Sequence, residues 1–263
     1  MARRALMSVL ALCSTLFLGC GINVLGFQGI KGSGNVKEET REVPDFSGVA
    51  IGNGFQATIT IGPKAPIRIS ADDNLLPLIK TEVQKGRLVV RLDPGVSVSS
   101  PNKIKLTITT PQLDSVDASG GSAVKASAVS SKTFGVDASG GSAVNVSGLS
   151  SDKVTVEASG GSTIDLLGLS CDMVSVDGGG GSVLKLAGQV KRLQLEMSGG
   201  TVVKTAELAA ETVQVDGSGG SQADVNASQS VQGDLSGGTA LRVLGNPAKR
   251  SVETTGGSAV SYK

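Results

Sequence analysis

The sequence predicts an all-β protein that folds as a parallel β-helix, a solenoid with coils of about 20 residues. Three observations support this prediction. A sequence motif built around Gly-Gly recurs eight times, and apolar and polar residues alternate on both sides of it. The 263 residues include only five Phe, one Tyr and no Trp. A narrow β-helix interior suits aliphatic side chains, because a large ring in one coil would clash with the neighbouring coils.

The spacing of the repeat predicts how the coils stack. Its second glycine recurs every 18 to 20 residues, at Gly121, Gly141, Gly161, Gly181, Gly200, Gly220, Gly238 and Gly257. Glycine accepts positive φ at little cost, so each pair is predicted to turn the chain. Each coil should then pair with the next about 4.8 Å along the axis, which places equivalent positions in columns.

The pattern within one period indicates strands. In Lys153–Ala158 the apolar residues, among them Val154 and Val156, alternate with polar ones and are predicted to face the interior. Ile164–Leu166 alternates again, and Leu167–Ser170 gives a third short segment. No stretch sustains the i, i+3, i+4, i+7 pattern, so leucine-rich and helical repeats fit poorly.

Residues 32–110 lack the Gly-Gly phrase but are also rich in strand patterns. The predicted strands are Val49–Ile51, Phe55–Ile61, Ile67–Ile69, Leu88–Leu92 and Ile104–Ile108, with turns at Gly52–Gly54, Gly62–Pro63 and Asp93–Gly95. Asp73–Val83 is the one helix candidate, with Asp72 and Asp73 as caps. Because no linker precedes the first repeat, this segment is predicted to begin the same stack and to cap its N-terminal end.

The N-terminus carries the features of an export signal. Arg3 and Arg4 precede the apolar stretch Ala5–Leu18, which has the length of a secretory signal and is too short to span a bilayer comfortably. Leu16–Cys20 resembles the bacterial lipoprotein box, which implies cleavage before Cys20 and lipidation of its thiol. An ordinary signal peptide cut nearby and a retained anchor helix are the alternatives.

The lipidation prediction fixes the expected domain organisation. Cys13 is the rival acceptor, but Leu12 before it is larger than the small residue that such a site needs. We therefore expect a signal peptide at 1–19, a lipidated tether at 20–31 and a single domain at 32–263. The lipid would attach the chain to a membrane surface, and Gly21 after the cysteine favours the outer membrane, where the envelope has one.

Cys171 is the other cysteine of the predicted mature chain. With Cys20 acylated it would have no intrachain partner, so no disulfide framework is expected. The residue is predicted to be a small buried hydrophobe in the place that Ser or Ala takes in neighbouring repeats. A reactive thiol is the alternative.

Composition excludes several classes of function. The chain contains no His, which removes the commonest general base, the usual zinc ligand and the usual partner of a nucleophilic Ser or Cys. Lys plus Arg total 24 and Asp plus Glu total 23, a net charge of +1 that predicts no nucleic-acid partner. No catalytic residue, metal site or cofactor is predicted.

One acidic residue precedes each Gly-Gly turn. We call this set the acidic column: Asp117, Asp137, Glu157, Asp177, Glu196, Asp216, Asp234 and Glu253. Like charges about 4.8 Å apart repel by on the order of 1 kcal/mol in water. The column must therefore be solvated, offset by Lys132, Lys153 or Arg192, or bridged by cations. A solvated column is the preferred interpretation, because the sequence lacks the Gly-Gly-x-Gly-x-Asp pattern of calcium-binding β-rolls.

Several motifs resemble those of the bacterial family called putative auto-transporter adhesin, head GIN domain. They are Gly32–Asn35, Glu42–Phe46, Gly54–Ile59, Ala71–Leu76 and the recurring Ser-Gly-Gly-Ser, where the family usually has Ser-Gly-Ser-Gly. The resemblance covers about residues 32–260. It implies an exported β-helical protein, often a lipoprotein, with an adhesin-like role.

The preferred function is a non-enzymatic envelope lipoprotein that displays a rigid surface to a protein or glycan partner. The alternative is a carbohydrate-active β-helix enzyme, a polysaccharide lyase or hydrolase. It is disfavoured because the acids occur equally in every coil and no long loop interrupts the period to build a groove. Self-association is also left open, because Ala259–Lys263 shows no recognisable cap and an open strand could pair with a second copy.

Overall fold

A computed structural model describes residues 29–263, so Cys20 and the predicted signal peptide lie outside the described residues. Within them the chain forms a β-solenoid, which confirms the predicted fold class. The strands are β1 (Ile30–Lys31), β2 (Val36–Arg41), β3 (Gly48–Ile51), β4 (Gln56–Ile61), β5 (Ile67–Asp72), β6 (Ile79–Gln84), β7 (Arg87–Leu92), β8 (Val98–Ser99), β9 (Lys105–Thr110), β10 (Ser115–Ala118), β11 (Ala123–Ser127), β12 (Ser130–Ala138), β13 (Ala143–Ser147), β14 (Ser150–Ala158), β15 (Thr163–Gly178), β16 (Val183–Met197), β17 (Val202–Gly217), β18 (Gln222–Leu235), β19 (Ala240–Leu244), β20 (Lys249–Thr254) and β21 (Ala259–Tyr262).

The coils stack through parallel strand pairs in register with the sequence repeat. β10 pairs with β12, β12 with β14, and β14 with β15, and each step aligns residues one period apart. β15, β16, β17 and β18 continue the stack as single strands of 14 to 16 residues that run through both faces of a coil. The predicted superposition of one repeat on the next is therefore confirmed.

The interior consists of columns of aliphatic side chains, as the alternation predicts. One column is at most 2% exposed throughout and comprises Val116, Val136, Val156, Val176, Leu195 and Val215. Val154 is likewise fully buried. Burying one such side chain stabilises the folded state by roughly 1.5 to 3 kcal/mol, so the columns supply most of the driving force for stacking.

The N-terminal segment continues the same stack, as predicted. β3 pairs in parallel with β10, and β4 pairs in parallel with β11, so two predicted strands join directly to the first repeat. Beyond them, β2 pairs antiparallel with β5, and β6 pairs antiparallel with β7. The exposed strand β2 carries four charged residues in the sequence Val-Lys-Glu-Glu-Thr-Arg, which discourages further edge pairing. Ile30 and Lys31, predicted to belong to the tether, pair with Val98 and Ser99.

The predicted helix at Asp73–Val83 is wrong. The chain makes a short 3-10 turn at Leu76–Leu78 and then enters β6. Lys85 and Gly86, with φ of 51° and 75°, form the two-residue turn that leads from β6 into β7. Positive φ at both central positions matches the right-handed twist of a hairpin, so strand pairing prevails over local helix propensity.

Asp72 and Asp73 hold loops together instead of capping a helix. Asp72 is 1% exposed and accepts hydrogen bonds from Ser100 Oγ and Asn102 Nδ2, both at 2.7 Å. Asp73 accepts one from Ser33 Oγ at 2.6 Å. These hydrogen bonds lower the pKa of both carboxyl groups, because they favour the ionised form. The two acids thus fix the loops that flank β1 and β8 against the end of β5.

The Gly-Gly turns also stack in register. From Gly181 onward, the backbone N–H of the second glycine donates to the carbonyl oxygen of the first glycine in the preceding coil. The bond from Gly200 N–H to the Gly180 oxygen is 2.6 Å long. The first glycine has positive φ, +69° at Gly199, whereas Gly200 lies outside the positive-φ region. A Cβ at position 199 would lie 2.8 Å from the Gly180 carbonyl oxygen. The predicted turn role of the pair is confirmed.

The last described coil carries a partial cap that the sequence analysis missed. Arg250 and Tyr262 stand in register with the inward residues Val231 and Val243. The guanidinium carbon of Arg250 lies 4.6 Å from the centroid of the Tyr262 ring, and its Nη2 donates to Asn246 Oδ1 at 2.7 Å. A cation–π pair therefore covers part of the interior. β20 and β21 pair with β18 and β19 along one edge, and their other edge has no partner strand among the described residues. Self-association therefore stays a prediction.

The glycine turns give a direct test of the stacking. We expect Gly199→Ala to lower the free energy of unfolding by about 1 to 3 kcal/mol, because the added Cβ meets the backbone below and φ is positive. Gly200→Ala is the matched control, since its Cβ would lie 3.6 Å from the same oxygen. Denaturant titration of both variants measures the difference, and equal losses would contradict this account of the turn.

Candidate functional site

The predicted acidic column exists as an aligned row on the outside of the solenoid. Strand register places Asp117 beside Asp137, Asp137 beside Glu157, and the alignment continues to Asp216. In the next coil toward the C-terminus, the backbone N–H of Asp234 donates to Asp216 Oδ1 at 3.2 Å. The sequence repeat therefore identified this row correctly.

The neutralising partner differs from the three that the sequence analysis named. Arg87 Nη1 lies 3.4 Å from Asp117 Oδ2, and this is the one ion pair of residues 29–263 that involves the acidic column. Lys132, Lys153 and Arg192 form no ion pair with the column acids. Arg87 belongs to β7, which precedes the repeats, so the repeat pattern gave no signal for it.

The raised pKa of Asp117 shows that the stacked carboxylates repel one another. Burial raises the pKa of this half-buried carboxyl, the negative charge of Asp137 raises it further, and Arg87 opposes both effects. The other neighbours along the column face solvent on at least part of their surface. Solvation, Arg87 beside Asp117, and the hydrogen bonds that Asp216 accepts from Gln214 Nε2 and the Asp234 backbone N–H thus accommodate the stacked charges.

These effects predict opposite shifts for two substitutions. Asp137→Asn should lower the pKa of Asp117, because a repelling charge is removed, whereas Arg87→Gln should raise it. Carboxyl-carbon NMR titration measures both shifts. Glu253→Gln, at the far end of the column, is the control and should leave the Asp117 pKa unchanged because salt screens distant charges. A shift in the same direction for both near variants would contradict the assignment.

A second outer feature lies where the chain turns a corner between two faces. It is an open groove of about 770 Å³, which we call the corner groove, and three aligned columns together with Ser228 line it. The floor is Ser131, Ser151, Cys171, Val190 and Ala210. The uncharged wall is Ser130, Ser150, Ser170, Gln189, Ala209 and Asn226. The charged wall is Lys132, Asp152, Asp172, Lys191 and Glu211.

The floor and the walls of the corner groove differ in how their polar groups are used. Ser151 Oγ lies 3.0 Å from the Lys153 carbonyl oxygen, so this floor hydroxyl is satisfied within the protein. On the charged wall, Lys191 Nζ pairs with Asp172 Oδ1 at 2.7 Å. Lys132 and Asp152 form no ion pair among the described residues and are exposed. The walls therefore offer hydroxyl, ammonium and carboxylate groups to solvent.

Cys171 lies in the floor of this groove. It takes the place that Ser151 occupies one coil earlier, as predicted, but it is half-buried rather than fully buried. Burial raises its pKa to about 11, and Asp172 contributes in the same direction. The side chain is therefore a thiol at neutral pH, and the nucleophilic alternative lacks the thiolate that it requires.

The sequence did contain a signal for the corner groove. Ser130–Lys132, Ser150–Asp152 and Ser170–Asp172 repeat the same small–small–charged pattern at steps of 20 residues. A strand pattern alone does not show which corner of a coil is concave, so the sequence by itself does not distinguish these residues from other polar positions. Within the described residues, no group of three or more Cys, Asp or Glu side chains is arranged to hold a metal ion.

Fold and surface together define the chain as a β-solenoid with long polar columns on its outer faces. The sequence profile of the family described as "Putative auto-transporter adhesin, head GIN domain" matches residues 45–247. The chain belongs to this family. No curated protein matches the sequence. No helix of the described residues is long and apolar enough to cross a membrane.

Solved structures from Parabacteroides and Bacteroides species share the fold. A putative lipid binding protein from Parabacteroides distasonis is 17% identical with a TM-score of 0.81, and the match covers 90% of this chain and 100% of that one. A putative adhesin from the same species is 18% identical with a TM-score of 0.80, covering 89% and 100%. A putative adhesin from Bacteroides fragilis is 20% identical with a TM-score of 0.69, also covering 89% and 100%.

Proposed function

We propose that this chain is a non-enzymatic protein of the bacterial envelope that is exported, lipid-anchored through Cys20, and presents its rigid outer surface to a macromolecular partner. One observation carries the proposal. Parallel coil-to-coil pairing continues from β3 and β4 to β20 and β21, with local register shifts between Leu166 and Leu169, Lys185 and Gly188, and Thr205 and Thr212. Between these shifts the pairing aligns single side chains into rows about 4.8 Å apart. Such rows suit a long partner better than a small metabolite.

The arrangement of acids supports a binding role over glycoside hydrolysis. A glycosidase places two carboxyl groups on opposite sides of the scissile bond, in different environments. In the corner groove Asp152, Asp172 and Glu211 all belong to the charged wall, and the opposite wall carries only hydroxyl, methyl and amide groups. Membership of a family named for adhesins points the same way.

The N-terminal sequence supports anchoring beside the membrane. Cys20 precedes β1 by ten residues, a distance that spans at most about 35 Å when fully extended. Lipid on Cys20 would therefore hold the N-terminal end of the solenoid near the bilayer surface. Gly21 supports the outer membrane as the destination.

Anchoring is tested by changing the acceptor cysteine. We expect Cys20→Ser to move the protein from the membrane fraction to the soluble envelope fraction, because the predicted lipid is lost. Cys13→Ser is the matched control and should stay with the membrane. Fractionation with immunoblotting, and mass spectrometry of the N-terminal peptide, measure the outcome. Membrane retention of Cys20→Ser would contradict lipidation at this residue.

The binding role is tested with the full chain on beads against panels of polysaccharides and purified extracellular proteins. We expect saturable retention of at least one probe, with the probe recovered at unchanged length. Val156→Asn, at a fully buried position, should abolish retention because an unpaired amide in the interior costs several kcal/mol and breaks the register.

Thr155→Asn, at the adjacent half-buried outer position, is the matched control and should bind as the wild type does. Two results would count against the proposal. Shortening of a retained polysaccharide would indicate an enzyme, and wild-type retention no greater than that of bare beads across both panels would remove the binding role.

A further inference from the structure

Building on the proposed binding role, we propose that the corner groove binds an extended, uncharged polysaccharide that lies parallel to the solenoid axis. Successive sugar residues would contact equivalent side chains of successive coils. The ligand is defined by its chemistry, a neutral chain of hydroxyl-bearing rings.

The shape of the groove favours an elongated ligand. Its uncharged wall extends over six coils, from Ser130 to Asn226, which is about 24 Å at the spacing of parallel strands. Its volume of about 770 Å³ falls within the usual range for ligand sites. The step between coils is close to the length of one sugar residue in an extended glycan, so a single binding mode can repeat along the groove.

The walls carry the groups that recognise sugar hydroxyls. Asp152 can accept hydrogen bonds from two hydroxyl groups, and Lys132 can donate to ring and hydroxyl oxygens. On the facing wall, the exposed Ser150 and Ser170 both donate and accept, and Gln189 adds an amide. None of the three has a side-chain hydrogen bond to another described residue. These groups are therefore free to bind a ligand.

The charges of the groove disfavour a polyanionic chain. The charged wall carries two ammonium groups and three carboxylates, and one of each is already joined in the pair between Lys191 and Asp172. The remaining charges are Lys132, Asp152 and Glu211, and Glu211 also accepts a hydrogen bond from Gln229 Nε2 at 3.2 Å. A polyanionic glycan would meet a net negative wall, so an uncharged one is favoured.

A peptide and a lipid fit the groove less well. Extended peptides bind through the free backbone groups of a sheet edge, but here those groups are used between coils, as in Ser150 N–H to the Val129 carbonyl at 2.9 Å and Ser170 N–H to the Leu149 carbonyl at 2.9 Å. An acyl chain would strip water from the wall hydroxyls and charges without replacing their hydrogen bonds.

The absence of aromatic side chains from the groove lining predicts how affinity depends on ligand length. Without a ring to stack on, each sugar gains only hydrogen bonds that largely replace those to water. Short ligands should bind weakly, and each added sugar should engage one more coil without a new association step. We expect the affinity to rise about tenfold or more from disaccharide to hexasaccharide of the preferred type.

The experiment uses the full chain and a panel of neutral hexasaccharides derived from glucan, mannan, xylan and galactan. Calorimetry gives the affinity, and Cys171 reports occupancy of the groove. Because burial raises the pKa of this floor thiol to about 11, alkylation is carried out at about pH 9.5, where a fraction of the thiol is ionised. A bound chain should slow this alkylation, which peptide mass spectrometry separates from that of the other cysteines. We expect one glycan type to bind and to protect Cys171.

Two pairs of variants locate the binding. Ser150→Tyr places a ring in the groove and should abolish protection, whereas Ser147→Tyr is exposed in the same coil outside the groove and should not. Asp152→Asn should weaken binding by roughly threefold to tenfold, since a charged acceptor is lost. Glu157→Gln removes an acid from the same strand, β14, and should have no effect. All four positions are exposed, so the fold should tolerate each change.

The outcomes separate this inference from the proposed function. If glycans bind but neither Ser150→Tyr nor Asp152→Asn alters affinity or Cys171 protection, the groove assignment is overturned and the binding role stands. If no neutral glycan binds while a protein probe is retained, the glycan assignment fails and the binding role again stands. If a mixed-charge peptide or phosphatidylcholine vesicles protect Cys171 and glycans do not, the ligand class is wrong. If no probe of any class is retained, both proposals fail.

Discussion

The parallel hydrogen-bond ladder between coils is the constraint on which the rest of the structure depends. It fixes the spacing along the axis and aligns each residue with its counterpart one period away. The side chain at a given position must therefore be compatible with the side chains at the same position of the adjacent coils. Inward columns must be aliphatic and narrow, which explains why rings are rare in the sequence. Gly160 and Gly180 lie in direct backbone contact because the turns stack as closely as the strands do.

The same ladder has an opposite effect on the outer faces. There it repeats charges and hydroxyls at a spacing that a single coil would never produce. In the acidic column this alignment is unfavourable, and Asp117 shows it through a raised pKa that Arg87 only partly offsets. In the corner groove the charged wall contains both signs, and Lys191 pairs with Asp172 across adjacent coils. Alignment is thus a cost where side chains are alike and an advantage where they differ.

The period and the alternation predicted most of the solenoid, because both reflect stacking that repeats many times. They identified Val154 and Val156 as inward residues and placed Glu157 in an outer row. The period and the alternation did not predict features that occur only once in the chain. The segment Asp73–Val83 was mistaken for a helix, although it contains most of β6, which pairs with β7 after a turn of two residues. This hairpin occurs once, so no repeat identified it. The corner groove depends on how a coil bends in three dimensions, which residue order alone does not encode.

A repeated shallow site and a single deep pocket reach affinity by different routes. A pocket concentrates burial and convergent polar groups around one small ligand. A solenoid groove offers weak contacts in series, and their sum depends on the rigidity that keeps them in register, because a flexible wall would lose side-chain and backbone entropy at every coil engaged. The aliphatic columns below the groove supply that rigidity. Leu149 and Leu169, both at most 2% exposed, directly precede Ser150 and Ser170 on the wall, so adjacent residues of the chain fill the interior and position the binding groups.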